Sequence, residues 1–234
     1  MRKTRNQQKG GRRTLKKGIL RCRCQTKQGQ LCMNPAKQPT LFCTLHQRCE
    51  MSPLSGYEPA YEPRRYNENP KVQSTHNCFS YGMNVLDPNQ ITQCDGKPDC
   101  KPLYHQPGAT KNMAKVLNKA EARTCKVVER LMQMDVPMQR TTFRARCPAK
   151  TSKIALVVHP KEDYHFVRQD SDGGWSHKDG SNPVKRFDAE GQDIVDPMTA
   201  VRDYRPRSFL NYSDFCGYYC APRDNTINLA RTES

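Results

Sequence analysis

The hydrophobic positions of this chain change texture near residue 137. From Thr110, a good N-cap, apolar residues recur at Met113, Val116, Leu117, Ala120, Val127, Val128 and Leu131. That three-and-four spacing predicts one long amphipathic helix reaching about Asp135. After Pro137 the pattern turns to strand. Lys153 to His159 is β-branched and buried in character, and Tyr164 to Gln169 and Trp175 to Lys178 flank an Asp172-Gly173-Gly174 turn, the pattern of a hairpin. Phe215 to Cys220 is predicted as the last strand. Upstream, Asn77 is placed to cap a short helix from Cys78 to Leu86, ended by Asp87-Pro88. Residues 88–109 and 180–212 read as loop. Helices followed by an antiparallel sheet predict an α+β fold.

The rest of the chain divides by composition. Residues 1–20 are a Lys/Arg/Gly/Gln-rich leader without periodicity, expected to be disordered. Residues 21–50 hold five of the twelve cysteines. Residues 51–72 are Pro-rich, repeat Tyr-Glu-Pro, and read as an extended linker or a strap over the next domain. The main domain is expected over 73–223, with a C-terminal tail over 224–234. The longest apolar run, Ile154 to Val158, is too short to span a membrane.

Thirteen Lys/Arg against the single acid Glu50 place +12 of the chain's +16 in residues 1–50, leaving +4 for residues 51–234. A basic arm with Arg12, Arg13, Lys16 and Lys17 is expected to meet nucleic acid or another polyanion; the alternative is a solubilising or targeting tail. The start lacks the apolar stretch of a secretory signal, so the expected compartment is intracellular and reducing. The cysteines are then read as metal ligands, a nucleophile or buried residues. The alternative is an oxidised form, in which Cys94/Cys100 and Cys216/Cys220 are close enough in sequence to pair. A plain loop is the preferred reading of residues 94–100, over a disulfide or a second metal. Cys125 is expected to be buried on the long helix, and Cys216 and Cys220 to lie in the core. No phosphate-binding Gly-rich loop is present, and residues 170–174 lack the spacing of a calcium loop.

The candidate chemistry lies in two pieces, His76-Asn77-Cys78-Phe79-Ser80-Tyr81-Gly82 and the hairpin carrying His165 and His177. A thiol at a helix N-terminus has its anion favoured by the free N–H groups there. An imidazole nearby can take its proton, and a third group must hold that imidazole in one tautomer. Cys78 is thus the candidate nucleophile, His165 the base and His177 the orienter, with Gln169 and Asp170 as weaker orienters. Tyr81 or a backbone N–H near Cys78 is the candidate oxyanion donor, with Asn77 as auxiliary.

This arrangement resembles the NlpC/P60 superfamily of papain-like cysteine hydrolases over roughly residues 74–220. Asn77-Cys78-Phe79-Ser80-Tyr81 looks like the family's Asn-Cys-x-x-Tyr/Phe motif, His165 and His177 look like its base and orienter, and Gln106-Pro107-Gly108 like its Pro-Gly turn. About 87 residues and a long helix separate Cys78 from His165, more than the family usually has. The resemblance implies helices packed on an antiparallel sheet and cleavage of an amide bond in a peptide, isopeptide or lipid-like substrate, with no cofactor for catalysis.

In the N-terminal segment, Cys22, Cys32 and Cys43-Thr44-Leu45-His46 supply three thiolates and an imidazole, the donor set of a tetrahedral structural Zn²⁺ site, with Cys24 or Cys49 as substitute ligands. Residues 21–46 resemble a small Cys₃His module of viral and bacterial proteins. The basic leader is similar in style to those of large DNA viruses, which implies a virion or host-cytoplasmic setting and virion partners. Two rivals to hydrolysis stand beside it: a structural, virion-associated protein on the same fold, and a nucleic-acid-binding protein acting through residues 1–50.

Overall fold

The apolar segment around Ile154–Val158 becomes the longest buried strand among the described residues. In the computed structural model, which describes Cys22, Cys24, Cys32, Asn34, Pro35 and residues 51–97, 99–224, 229, 231 and 232, it forms β3 (Thr151–His159). Its neighbours are β4 (Asp163–Gln169) on one side and β7 (Asp214–Pro222) on the other. The remaining strands of this sheet are β2 (Gln139–Thr141), β5 (Trp175–Lys178) and β6 (Val184–Lys185). The six strands run antiparallel in the order β2-β7-β3-β4-β5-β6. A separate two-stranded ladder pairs β1 (Tyr104–His105) with β8 (Arg231–Thr232), so the end of the chain returns to the domain.

Strand alternation gives the sheet two apolar faces. Ile154, Leu156, Val158 and Phe166 pack against α3 (Cys78–Gly82) and α5 (Cys125–Asp135), meeting Phe79, Met83, Val128, Leu131 and Met132. Ala155, Val167 and Trp175 face the other way and are covered by Ile194 and partly buried Ala200 from the long loop after β6. The chain is α+β, as its helix-then-sheet order predicts.

Several predicted boundaries move. The long helix over 110–135 breaks into 3₁₀ turns at Ala109–Lys111, Ala114–Asn118 and Ala120–Ala122, and only α5, capped by the Thr124 side chain, is α-helical. The cause is tertiary. Asn112 is left-handed (φ 57°), and the Arg123 carbonyl accepts from Lys161 N at 3.4 Å. The Arg123 side chain donates to the carbonyls of Leu117 and Glu162. Residues 88–109 include α4 (Pro88–Thr92) and β1 rather than loop alone. Residues 51–72 are a strap and not a linker: Ser52 is buried, its carbonyl accepting from Gln169 Nε2 at 2.8 Å and its hydroxyl from Lys153 Nζ at 2.5 Å. The same stretch then forms α1 (Pro63–Asn67) and starts α2 (Pro70–Thr75).

The cysteines also differ from expectation. Disulfides join Cys94 to Cys100, Cys125 to Cys216 and Cys147 to Cys220. A Cys216–Cys220 pair is ruled out by geometry, because four residues along a strand span about 13 Å and a disulfide tolerates roughly 7 Å between Cα atoms. The Cys94–Cys100 segment is a disulfide-closed turn rather than a plain loop.

Residues 1–49 form a unit of their own. Cys22, Cys24 and Cys32 pack together there, Cys22 N donating to Asn34 O and Cys32 N to Cys24 O. Cys24 is disulfide-bonded, and an oxidised sulfur is not a thiolate ligand, which removes it as a substitute in the zinc set. Cys43, His46 and Cys49, and the basic Arg12, Arg13, Lys16 and Lys17, lie outside the described residues. Among the described residues no helix is long and apolar enough to cross a membrane.

Candidate functional site

Asn77 fixes the nucleophile helix. Its Oδ1 accepts from Phe79 N and Ser80 N, both at 3.1 Å, while the Ser80 hydroxyl accepts from Asn77 N at 3.0 Å, a reciprocal capping box. Its Nδ2 donates to His105 O at 2.8 Å. With its amide spent in this way, Asn77 is a structural cap rather than an oxyanion donor. Tyr81 N pairs with Asn77 O, so of the first-turn donors the Cys78 N–H is the one that neither cap nor helix claims.

Helix α3 then lies close on β4. A Cβ on Gly82 would sit 3.2 Å from Phe166 Cβ, so glycine permits the approach. Tyr81 faces away from the cleft described below. Its hydroxyl shares a 2.6 Å hydrogen bond with Ser176, and its ring lies 4.0 Å under the Arg168 guanidinium. The expected oxyanion role of Tyr81 has no geometric basis.

β5 pairs with β4 only at Val167, Arg168 and Gln169. The outer edge of β4 at residues 164–166 is therefore left for α3. There the Cys78 thiol, itself buried, donates to Tyr164 O at 3.9 Å and takes a backbone hydrogen bond from Phe166. Its sulfur is thus bonded to the residues on either side of His165.

His165 and His177 share the opposite sheet face, because Val167, two residues from His165, is the register partner of His177. His165 Nε2 lies 2.8 Å from His177 Nδ1. Asp179 completes the group, with Oδ1 at 3.1 Å from His165 Nε2 and 3.0 Å from His177 Nδ1, and Oδ2 at 2.5 Å from Lys185 Nζ. Lys178 Nζ fixes this turn by donating to Gln73 O at 2.6 Å and Gly180 O at 2.7 Å.

Sequence reasoning passed over Asp179 in favour of Gln169 and Asp170. Gln169 holds the strap at Ser52, and Asp170 is committed to Arg168 at 3.1 Å. The signal for Asp179 was its place two residues beyond His177, which keeps both on one face of an extended chain.

The hydrogen positions follow from the partners. His177 Nε2 faces the Phe187 carbonyl at 2.9 Å and so carries a hydrogen. His165, kept neutral by burial, has its one hydrogen on Nε2 facing the Asp179 carboxylate, which leaves the lone pair on His165 Nδ1, the tautomer a base requires.

Burial keeps Cys78 and His165 neutral at rest, beside an ionised Asp179. Burial pushes the Cys78 thiol well above its usual range, and the Asp163 charge adds to this. The expected lowering by the helix terminus is outweighed, because α3 is only five residues long and the sulfur is desolvated. Burial lowers His165 to about 3, against the opposing pull of Asp179. For Asp179, burial raises the pKa, but the charges and hydrogen bonds of His165, His177 and Lys185 outweigh it and hold the carboxyl well below the ordinary range.

Cys78, His165 and Asp179 line one cleft of about 530 Å³, together with Gln106, Asp163 and Tyr212. Its size suits a small-molecule or short-segment ligand. The Tyr212 ring packs against His165, tilted by 31° with centroids 5.3 Å apart, and its hydroxyl donates to Asp163 Oδ2 at 2.7 Å.

The chain is 31% identical over 158 residues to insoluble matrix shell protein 1 of Ruditapes philippinarum, a match covering 68% of this chain and 86% of that protein. The chain belongs to the insoluble matrix shell protein 1 family. No protein-family model and no solved structure matches it. Within the insoluble matrix shell protein 1 family, the chemistry of the Cys78 cleft is read from the geometry above.

Proposed function

We propose that the domain is a thiol-dependent hydrolase of amide bonds, of the papain-like NlpC/P60 type. The observation that carries this reading is the Cys78 sulfur held against the backbone flanking His165, in a cleft that His165 also lines. The pair rests uncharged, so activation accompanies attack. The Cys78 thiol gives its proton to His165 Nδ1 as the sulfur adds to the carbonyl carbon. The imidazolium so formed is stabilised through Nε2–H by Asp179, whose carboxylate Lys185 and His177 hold in place. The Cys78 N–H is the donor suited to the oxyanion. His165-H⁺ then protonates the leaving amine, and water cleaves the thioester to release the acid and regenerate the thiol.

The test offers the full chain a panel of peptides, isopeptides and N-acyl amides, with products and any Cys78 thioester read by mass spectrometry. Turnover lost in both Cys78→Ser and His165→Ala supports the reading. Hydrolysis unchanged in Cys78→Ala ends it.

A second reading has its own support. The kinship with a shell-matrix protein and the disulfides Cys94–Cys100, Cys125–Cys216 and Cys147–Cys220 favour a cross-linked scaffold that works without turnover, placed in an oxidising compartment rather than a reducing one. Folded protein that hydrolyses no member of the panel and forms no thioester supports that reading.

A further inference from the structure

We propose that the His165–His177–Asp179 triangle is a Zn²⁺ site, and that the ion, by occupying it, shuts off the base of the neighbouring thiol. The regulatory half of this inference rests on the hydrolase reading; the metal site itself does not.

The three donor atoms, His165 Nε2, His177 Nδ1 and Asp179 Oδ1, stand 2.8, 3.0 and 3.1 Å apart. A tetrahedral Zn²⁺ with bonds of about 2.0–2.1 Å keeps its ligand atoms about 3.3 Å from one another. The triangle must therefore open by only a few tenths of an ångström. Two imidazoles and one carboxylate are a donor set that Zn²⁺ accepts, and three protein ligands leave a fourth position for water.

The outer support of such a site is already in place. A metal-bound histidine characteristically donates its other N–H to a carbonyl or carboxylate, and His177 Nε2 does so to Phe187 O at 2.9 Å. The second oxygen of Asp179 is held by Lys185 Nζ at 2.5 Å. His165 and Asp179 both line the open cleft, which supplies the entry path.

The consequence for the base follows from counting protons. Without metal, neutral His165 carries its one hydrogen on Nε2, facing Asp179 Oδ1 at 3.1 Å. Zn²⁺ binding takes the Nε2 lone pair, and the hydrogen of the neutral imidazole moves to Nδ1. That is the nitrogen the Cys78 thiol needs unprotonated. The same atoms thus orient the base when they share a proton and disable it when they share a metal.

The experiment titrates Zn²⁺ into full-length protein by calorimetry, with Co²⁺ absorption as the second readout, in the wild type, His177→Ala and Asp179→Asn. Counting equivalents against the wild type separates this site from any held by the N-terminal cysteines, whose Co²⁺ complexes show sulfur charge-transfer bands that a nitrogen–oxygen site lacks. Circular dichroism confirms that each variant is folded, and Asp179→Asn, nearly isosteric, serves where His177→Ala fails to fold.

The expected result is one equivalent lost, or bound roughly 100-fold more weakly, in the variants, together with Zn²⁺ inhibition of wild-type amide hydrolysis that a chelator reverses. Equal stoichiometry and affinity in wild type and Asp179→Asn overturn the site. Hydrolysis that proceeds unaffected at saturating Zn²⁺ overturns the regulation while leaving the hydrolase reading intact. Metal binding at the triangle in a protein without any hydrolysis removes the hydrolase reading and keeps the site.

Discussion

Replacing Cys125 and Cys216 together by serine tests whether the disulfides carry the stability of this domain. The two residues are 91 apart in sequence. Chain entropy assigns a cross-link of that span about 4.6 kcal/mol, released when the unfolded chain regains the freedom the bond removed. The Cys94–Cys100 bridge, with a separation of 6, is assigned about 2.2 kcal/mol by the same relation and serves as the internal control. Domains of this size are stable by about 5–15 kcal/mol, so the long bridge is a large share of the total. At roughly 2–4 °C per kcal/mol, its loss lowers Tm by about 9–18 °C. The assay is urea denaturation of both double-serine variants, followed by the fluorescence of buried Trp175 and by far-UV dichroism. A Cys125→Ser/Cys216→Ser variant no less stable than the Cys94→Ser/Cys100→Ser control would falsify the argument. Mass spectrometry of the wild type after blocking free thiols checks the pairing itself.

The buried, proton-retaining thiol of Cys78 is expected to alkylate more slowly at pH 7 than a cysteine in unfolded peptide, and selective labelling of Cys78 below pH 8 would contradict the neutral resting pair. Because His165 is lowered to about 3, the acid limb of kcat/KM for any amide substrate should fall well below the ordinary histidine value of about 6.5. The sign for stability runs the same way: a histidine whose folded pKa is depressed favours folding fully above about 6.5, and that contribution is lost as pH falls toward 3, to be seen as a decrease in Tm over that interval. Asn77→Ala removes the acceptor for Phe79 N and Ser80 N and the donor to His105 O, and should cost about 1–3 kcal/mol in denaturant titration; a cost below about 0.5 kcal/mol means that the cap does not fix α3.

The strands β3, β4 and β5 were legible within a residue or two because period-two alternation, β-branched residues and a Gly-Gly turn all agree there. The N-cap at Asn77 was legible because capping is local chemistry. What the sequence did not show depends on distant partners. The helix over 110–135 reads as continuous on periodicity alone, yet the Arg123 carbonyl is drawn to Lys161, a residue no window around 110–135 contains. Placing His165 and His177 on one face needed only the hairpin. Finding Asp179 required following the chain past the strand end into its turn, where propensity is silent. The thiol's electrostatics were misjudged for a similar reason: the helix terminus is visible in sequence, whereas the desolvation that outweighs it belongs to the packed fold. The disulfide partners of Cys216 and Cys220 became evident only with α5 and Cys147 placed beside β7.

The position of β7 dictates an order of assembly. Although it follows β2 to β6 along the chain, it lies between β2 and β3 and is the strand β2 pairs with. Until residue 222 has been synthesised, β2 lacks its ladder, β3 exposes an edge, and Cys125 and Cys147 stand as thiols with their partners still to come. Every upstream element, the Cys78 helix included, must wait in an incomplete core while those thiols are open to the wrong partner. Maturation of this protein is therefore governed by its C-terminal third, and a nascent chain halted before β7 is a candidate for misoxidation rather than a smaller version of the fold.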